Sequence, residues 1–187
     1  MNNLITDRAR ADVSKAESLN GKSWQDMSAV EQVDFMDLKG AYDYTDLNRV
    51  ENAVENIMDY FNNLQDTLNA YLSSYGVAPD AFWGVPYNYP IDLSVKTNWT
   101  RLDLPVASAM SRYLNNVEVI TDIFPIDRAL PASMENLTYR GANEIERALE
   151  REYNTASLWE EEKKRHARNT AMAFLYSGDT YCGGYYI

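Results

Sequence analysis

The chain has 187 residues, of which 45% are hydrophobic, and a formal net charge of −11, enough apolar material for one large domain or two small ones. An acidic surface without clustered Lys and Arg excludes a general nucleic-acid or anionic-membrane binder. A single Cys and a single His exclude an intrachain disulfide framework and a conventional structural zinc site.

The N-terminal run MNNLITDRARADV has no apolar core of an export signal, and no later stretch nears the roughly 18 apolar residues of a membrane span. We expect no membrane insertion and synthesis in a reducing cytoplasm. A first amphipathic helix is predicted to open at Thr6 or Asp7, to carry Ala9, Val13, Ala16 and Leu19, and to stop at Asn20-Gly21. Trp24 and Met27 lead into Ser28-Ala29-Val30-Glu31, a capping box, after which Val30, Val33 and Phe35 to Leu38 form an apolar face ended by Gly40.

The most regular pattern follows Asp43-Tyr44-Thr45-Asp46, where Asp43 or Thr45 can cap. Leu47, Val50, Val54, Ile57, Phe61, Leu64, Leu68, Tyr71 and Tyr75 recur at alternating spacings of three and four, predicting one long helix up to Gly76 with a stripe fit for continuous packing. Helix is not expected from 76 to 97, which is rich in prolines and aromatics, although Ile91 to Val95 could form a short strand. Asp103 is the expected cap of a helix bearing Ala107, Met110, Leu114, Val117, Ile120 and Phe124. Residues 125 to 134 read as loop. A last long helix opens near Thr138 with Ala142, Ile145, Leu149, Tyr153, Ala156 and Trp159, then becomes charged. Ala171 to Tyr176 could continue it or leave as a strand, and beyond Ser177 an extended, Tyr-rich end is expected.

Laying Tyr44 to Val54 on Tyr139 to Leu149 matches Tyr with Tyr, Asn48 with Asn143, Val50 with Ile145, Glu51 with Glu146 and Ala53 with Ala148. Upstream, Ser23-Trp24-Gln25-Asp26-Met27 aligns with Asn98-Trp99-Thr100-Arg101-Leu102. The chain therefore reads as two diverged copies of a Trp-led helical unit, each with an apolar stripe that one hairpin cannot bury alone. The Asn and Glu lie three apart on one helical face, where they can hold loop backbone and fix the approach of the Trp turn. Trp24, Asn48, Glu51, Trp99, Asn143 and Glu146 are thus taken as structural residues of the repeat.

Catalytic chemistry finds little support in these residues. A carboxylate pair from Glu51 and Glu146 would need converging helices and one raised pKa. His166 lies in a charged helical run without a second His, and Cys182 has no neighbouring base. No enzyme activity, metal or cofactor is expected. For recognition, Phe82, Trp83, Tyr87 and Tyr89 stand on a Pro-stiffened loop, and Tyr176, Tyr181, Tyr185 and Tyr186 crowd the C-terminal end. Rings with polar tips suit contacts between proteins, and those of the loop could also stack on sugars.

Three runs carry a resemblance: Thr6-Asp7-Arg8 with Ala11-Asp12-Val13; Leu19-Asn20 with Lys22 and Trp24; and Leu38-Lys39-Gly40-Ala41-Tyr42 with Tyr44-Thr45-Asp46-Leu47-Asn48-Arg49-Val50-Glu51. With Asn98-Trp99-Thr100, Asp103-Leu104-Pro105, Leu137-Thr138-Tyr139 through Asn143 to Glu146, and Tyr176-Ser177-Gly178-Asp179, the chain resembles small structural proteins encoded in tail modules of phages and prophages of Gram-positive gut bacteria. The likeness implies a non-enzymatic tail or baseplate component, located in the virion after synthesis in the host cytoplasm, with other tail or baseplate proteins as partners. It does not extend over 76 to 97.

The expected fold class is mainly α, with two diverged helical-hairpin units forming a helical bundle and a short extended or β C-terminal tail. The expected divisions are 1–75 for the first unit, 76–97 for the aromatic connection, 98–176 for the second unit and 177–187 for the tail. Function is expected to be that of a phage tail or baseplate structural subunit that forms a homo-oligomer, with the stripe of the long helix buried either inside the subunit or in that oligomer. The alternative is a receptor- or glycan-binding module using the aromatic loop.

Overall fold

The computed structural model describes residues 4–36, 38–74, 90–124 and 126–176. In chain order they form α1 (Arg10–Leu19), a 3-10 turn (Trp24–Asp26), α2 (Ala29–Met36), α3 (Tyr44–Ser74), α4 (Ala107–Thr121) and α5 (Tyr139–Tyr176). The expectation of a mainly α fold with an extended or β tail is corrected to an all-α fold of five α-helices, with no strand among the described residues. Ala171 to Tyr176 stay helical as the end of α5; residues 177–187 lie outside the described residues. Ile91 to Val95 form no strand either. Side-chain amides of Asn62 and Asn116 hold the backbone of Ile91 and Ser94 in place of a ladder partner among the described residues.

Local chemistry sets most helix ends. Asp43 caps α3, its carboxylate accepting from the Thr45 N–H at 2.7 Å, while Asp46 reaches back to the Asp43 N–H at 2.9 Å. Ser28 and Glu31 form the reciprocal box of α2. Thr138 caps α5 through its hydroxyl, which accepts from the Gly141 N–H. Past the end of α1, Gly21 takes φ +82°, a conformation in which a Cβ would be strained. α1 starts at Arg10, four residues after Thr6, because Leu4 to Ala9 are extended and committed to tertiary contacts. Asp103 does not cap α4 as expected. Its carboxylate closes a turn on Thr100, and Pro105, which disfavours helix in the residue before it, delays α4 to Ala107.

The periodic stripe of α3 is the buried one: Leu47, Val50, Val54, Ile57, Phe61, Leu64 and Leu68 are all buried. They join Tyr113, Val117, Ile120 and Phe124 from α4 and its exit and Ile145, Leu149 and Ala156 from α5 in one core. α3, α4 and α5 pack mutually, so the stripes of both sequence units, together with Ile91 and Trp99 from the connection and the second unit, serve one shared interior. α1 and α2 pack on each other as a small lobe beside this three-helix bundle. Between them runs a groove of about 430 Å³ lined in part by Val13, Leu19, Phe35 and Leu38. Residues 38–41 return across α1 so closely that a Cβ on Gly40 would lie 1.9 Å from the Asp12 carbonyl oxygen.

Candidate functional site

The polar residues of the sequence repeat form two sockets on the helices of the bundle, and each socket holds an extended strap of backbone. On α5, Asn143 makes a paired contact with one residue of the first strap. Its Oδ1 accepts from the Arg8 N–H at 3.1 Å and its amide donates to the Arg8 carbonyl at 2.8 Å. One turn along, Glu146 accepts from the Ile5 N–H at 2.5 Å. On α3, Asn48 repeats the arrangement with Trp99, accepting from its N–H at 2.6 Å and donating to its carbonyl at 2.8 Å. One turn along, Glu51 stands where the Lys96 N–H draws its pKa down against burial. A helix can do this because residues three apart share a face, and a planar amide matches the N–H and C=O of an extended residue.

The two straps correspond residue by residue. In the first, the Ala9 N–H donates to Asp12 at 2.7 Å and the Asp12 N–H donates to the Ala9 carbonyl at 3.1 Å; in the second, Thr100 and Asp103 make the same two contacts at the same distances. Thr6-Asp7-x-x-Arg10-x-Asp12 thus lies on Thr97-Asn98-x-x-Arg101-x-Asp103. This spacing could have been found in the sequence, but the alignment of Trp24 with Trp99 obscured it. Those two tryptophans occupy unlike settings. Trp24 is 49% exposed and packs edge-on to Phe35, whereas Trp99 is buried under the Lys96 ammonium. The residue placed like Trp99 is Arg8.

The sockets differ in what they enclose. In the α5 socket the Arg8 guanidinium is buried and donates to Asp46 and to Glu146, each at 2.7 Å, and to the Ile5 carbonyl at 2.6 Å. Arg49 donates to the two Glu146 oxygens at 2.9 and 3.1 Å and also pairs with Asp46. Two guanidiniums and two carboxylates are therefore interleaved with matched charge, the condition under which buried ions are tolerated. Arg147 adds a bond to the Thr6 carbonyl at 2.6 Å. The α3 socket instead encloses the Trp99 ring, and the side-chain contacts of its Glu51, with Arg112 and Asn116, are longer, at 3.5 Å. Burial accordingly pushes the Glu51 carboxyl above its ordinary value, against the opposing pull of the Lys96 N–H and Arg112.

Two further amides hold the second strap. Asn62 embraces Ile91, both bonds at 2.8 Å, and Asn116 donates to the Ser94 carbonyl at 2.8 Å. Between the sockets the Tyr42 and Tyr113 hydroxyls lie 2.5 Å apart, both held well above the usual phenol range by burial. Glu51 and Glu146 are each surrounded by partners of their own, so their arrangement is that of two backbone clamps.

Sequence reasoning missed Arg8, Asp46, Arg49, Asn62 and Glu152. Their partners lie tens of residues away, and singly they read as solvated polar residues. Phe82, Trp83, Tyr87 and Tyr89 fall outside the described residues, as do Tyr181, Tyr185 and Tyr186. Tyr176 ends α5, and its side chain is likewise outside what is described. Among the described residues no three His, Cys, Asp or Glu side chains are grouped to hold a metal ion, and no helix is long and apolar enough to cross a membrane. No family model matches the chain, and neither a curated protein nor a solved structure matches it.

Proposed function

We propose that this chain is a structural subunit of a phage tail or baseplate, acting through contacts with other proteins of that particle. The tail assignment draws on the resemblance of the motifs from Thr6 to Glu51 and from Asn98 to Asp179. The observation that carries an assembly role is the orientation of α2. Its polar side chains are turned to its own lobe: Glu31 pairs with Lys22, Asp34 with Lys15 at 2.9 Å, and Gln32 donates to the Trp24 carbonyl at 3.0 Å. Its apolar stripe points outward, with Val30, Val33 and Met36 71, 69 and 78% exposed.

An amphipathic helix ordinarily buries its stripe, so a stripe left exposed while Glu31, Gln32 and Asp34 contact the helix's own lobe is suited to a partner. Leu102 and Leu104, ahead of α4, are also more than four-fifths exposed. Mass spectrometry of virions purified from the strain that encodes the chain should detect it in tails. A Val30→Glu, Val33→Glu double variant should fold but be missing from them. Absence of the unaltered chain from virions would overturn the tail reading, and incorporation of the double variant would overturn the role of α2.

A further inference from the structure

The two straps are exchanged between the two units of the chain. The strap that precedes α1–α3 docks on α5, and the strap that precedes α4–α5 docks on α3. Each unit therefore supplies a strap to the other and receives one in return, the relation that two strap-exchanged copies of a single-unit protein would have. We propose that the same joint also operates between chains: the first strap of one copy docks in the α5 socket of a second copy, through Asn143, Glu146, Asp46 and Arg49, and makes a reciprocal homodimer. This goes beyond the tail assignment and does not depend on it.

Two features of the site favour exchange over simple release. Removing the strap leaves the buried carboxylates of Asp46 and Glu146 facing the single guanidinium of Arg49, and leaves the Asn143 amide unpaired. An empty socket therefore has a strong demand for an occupant presenting an extended N–H and C=O together with a guanidinium. The strap of another copy meets that demand atom for atom. The lobe that would travel with the strap is self-supporting in its polar contacts, since Lys15–Asp34 and Lys22–Glu31 close it internally and Gly40 locks the return segment onto Asp12. Against the bundle it is held chiefly by the strap itself and by the Tyr42–Tyr113 contact.

Charge reversal tests the joint on the full chain. In an Arg8→Glu chain the strap carries a carboxylate into an acidic socket, and in a Glu146→Arg chain the socket carries a guanidinium against Arg8 and Arg49, so neither closes well on itself. Mixed, the two variants can form a dimer in which one joint is native and the other is the reversed pair. Native mass spectrometry should show this heterodimer as the main species, melting at a higher temperature than either variant alone. Should either variant fail to fold, wild-type chain refolded at high concentration with isotopically heavy wild-type chain should yield dimers of mixed mass. Wild-type monomer alone after that refolding, or two variants that stay separate, would overturn the proposal. So would a dimer abolished by Val33→Glu, because the contact would then be the stripe of α2.

Discussion

Replacing Glu152 by Gln should remove a pH dependence that the buried carboxylate imposes on the whole fold. Glu152 is fully buried on α5 beneath the exit of α4. One of its oxygens accepts from the Phe124 N–H at 3.0 Å, and the other has no hydrogen-bond partner among the described residues. Burial dominates its titration, with Asp122 adding to the rise and the Phe124 N–H and Arg128 opposing it, and the carboxyl is raised from 4.5 to about 7. A group whose pKa is higher in the folded than in the unfolded chain binds its proton on folding. Its contribution is therefore complete below about 4.5 and is lost as pH rises through about 7. At about 1.4 kcal/mol per pH unit of difference, the full loss is about 3.5 kcal/mol, a little under 1 kcal/mol of it already incurred by pH 5. Gln keeps the acceptor for Phe124 and never ionises. Urea unfolding of both proteins followed by circular dichroism at pH 5, 6, 7 and 8 should show stabilities within about 1 kcal/mol of each other at pH 5 and a Gln variant about 3 kcal/mol more stable at pH 8. Taking the difference between the two proteins cancels groups with the opposite sign. Glu31, lowered by Lys22 and Ser28, and Asp103, lowered by Lys96 and Thr100, are such groups, and they lose their stabilisation as pH falls. A difference that does not change with pH would refute the assignment of Glu152 as the titrating group.

The other sites make separate predictions. Asn48→Ala should cost about 2–4 kcal/mol in chemical denaturation, since it strands the Trp99 N–H and carbonyl in a buried setting; a cost below 0.5 kcal/mol would show that the clamp is dispensable. Glu146→Ala leaves Arg8 and Arg49 competing for Asp46 and should cost about 3–5 kcal/mol. Restoring balance with Arg8→Met in the same chain should recover part of that loss, whereas a further drop would count against the charge-matching argument. Phe61→Ala, at a fully buried ring packed on Phe124, should cost about 3–5 kcal/mol, read as a lower denaturant midpoint. Gly21→Ala should cost about 1 kcal/mol from backbone strain alone, because no atom lies within 4 Å of the added Cβ.

The sequence by itself determines the helices and their buried stripes wherever local chemistry is decisive. Asp43 caps α3, Ser28 and Glu31 box α2, and the spacing from Leu47 to Leu68 names the face that enters the core. These depend on contacts within a few residues, which periodicity and capping rules read directly. It also brings Asn48 with Glu51 and Asn143 with Glu146 to notice as a repeated face. What those faces hold is decided only in the tertiary structure. Arg8 meets Asn143 across 135 positions, and Trp99 meets Asn48 across 51; a guanidinium in a charged N-terminal run gives no sign of being buried until its carboxylates are in place. Tertiary structure likewise turns the stripe of α2 outward while Glu31, Gln32 and Asp34 contact its own lobe, against the usual expectation for an amphipathic helix. It leaves Ile91 to Val95 as a strap instead of a strand, because Asn62 and Asn116 take the place of a neighbouring strand. Local rules set which segments are regular, and partners distant in the chain set which face each segment shows and which strap each helix holds.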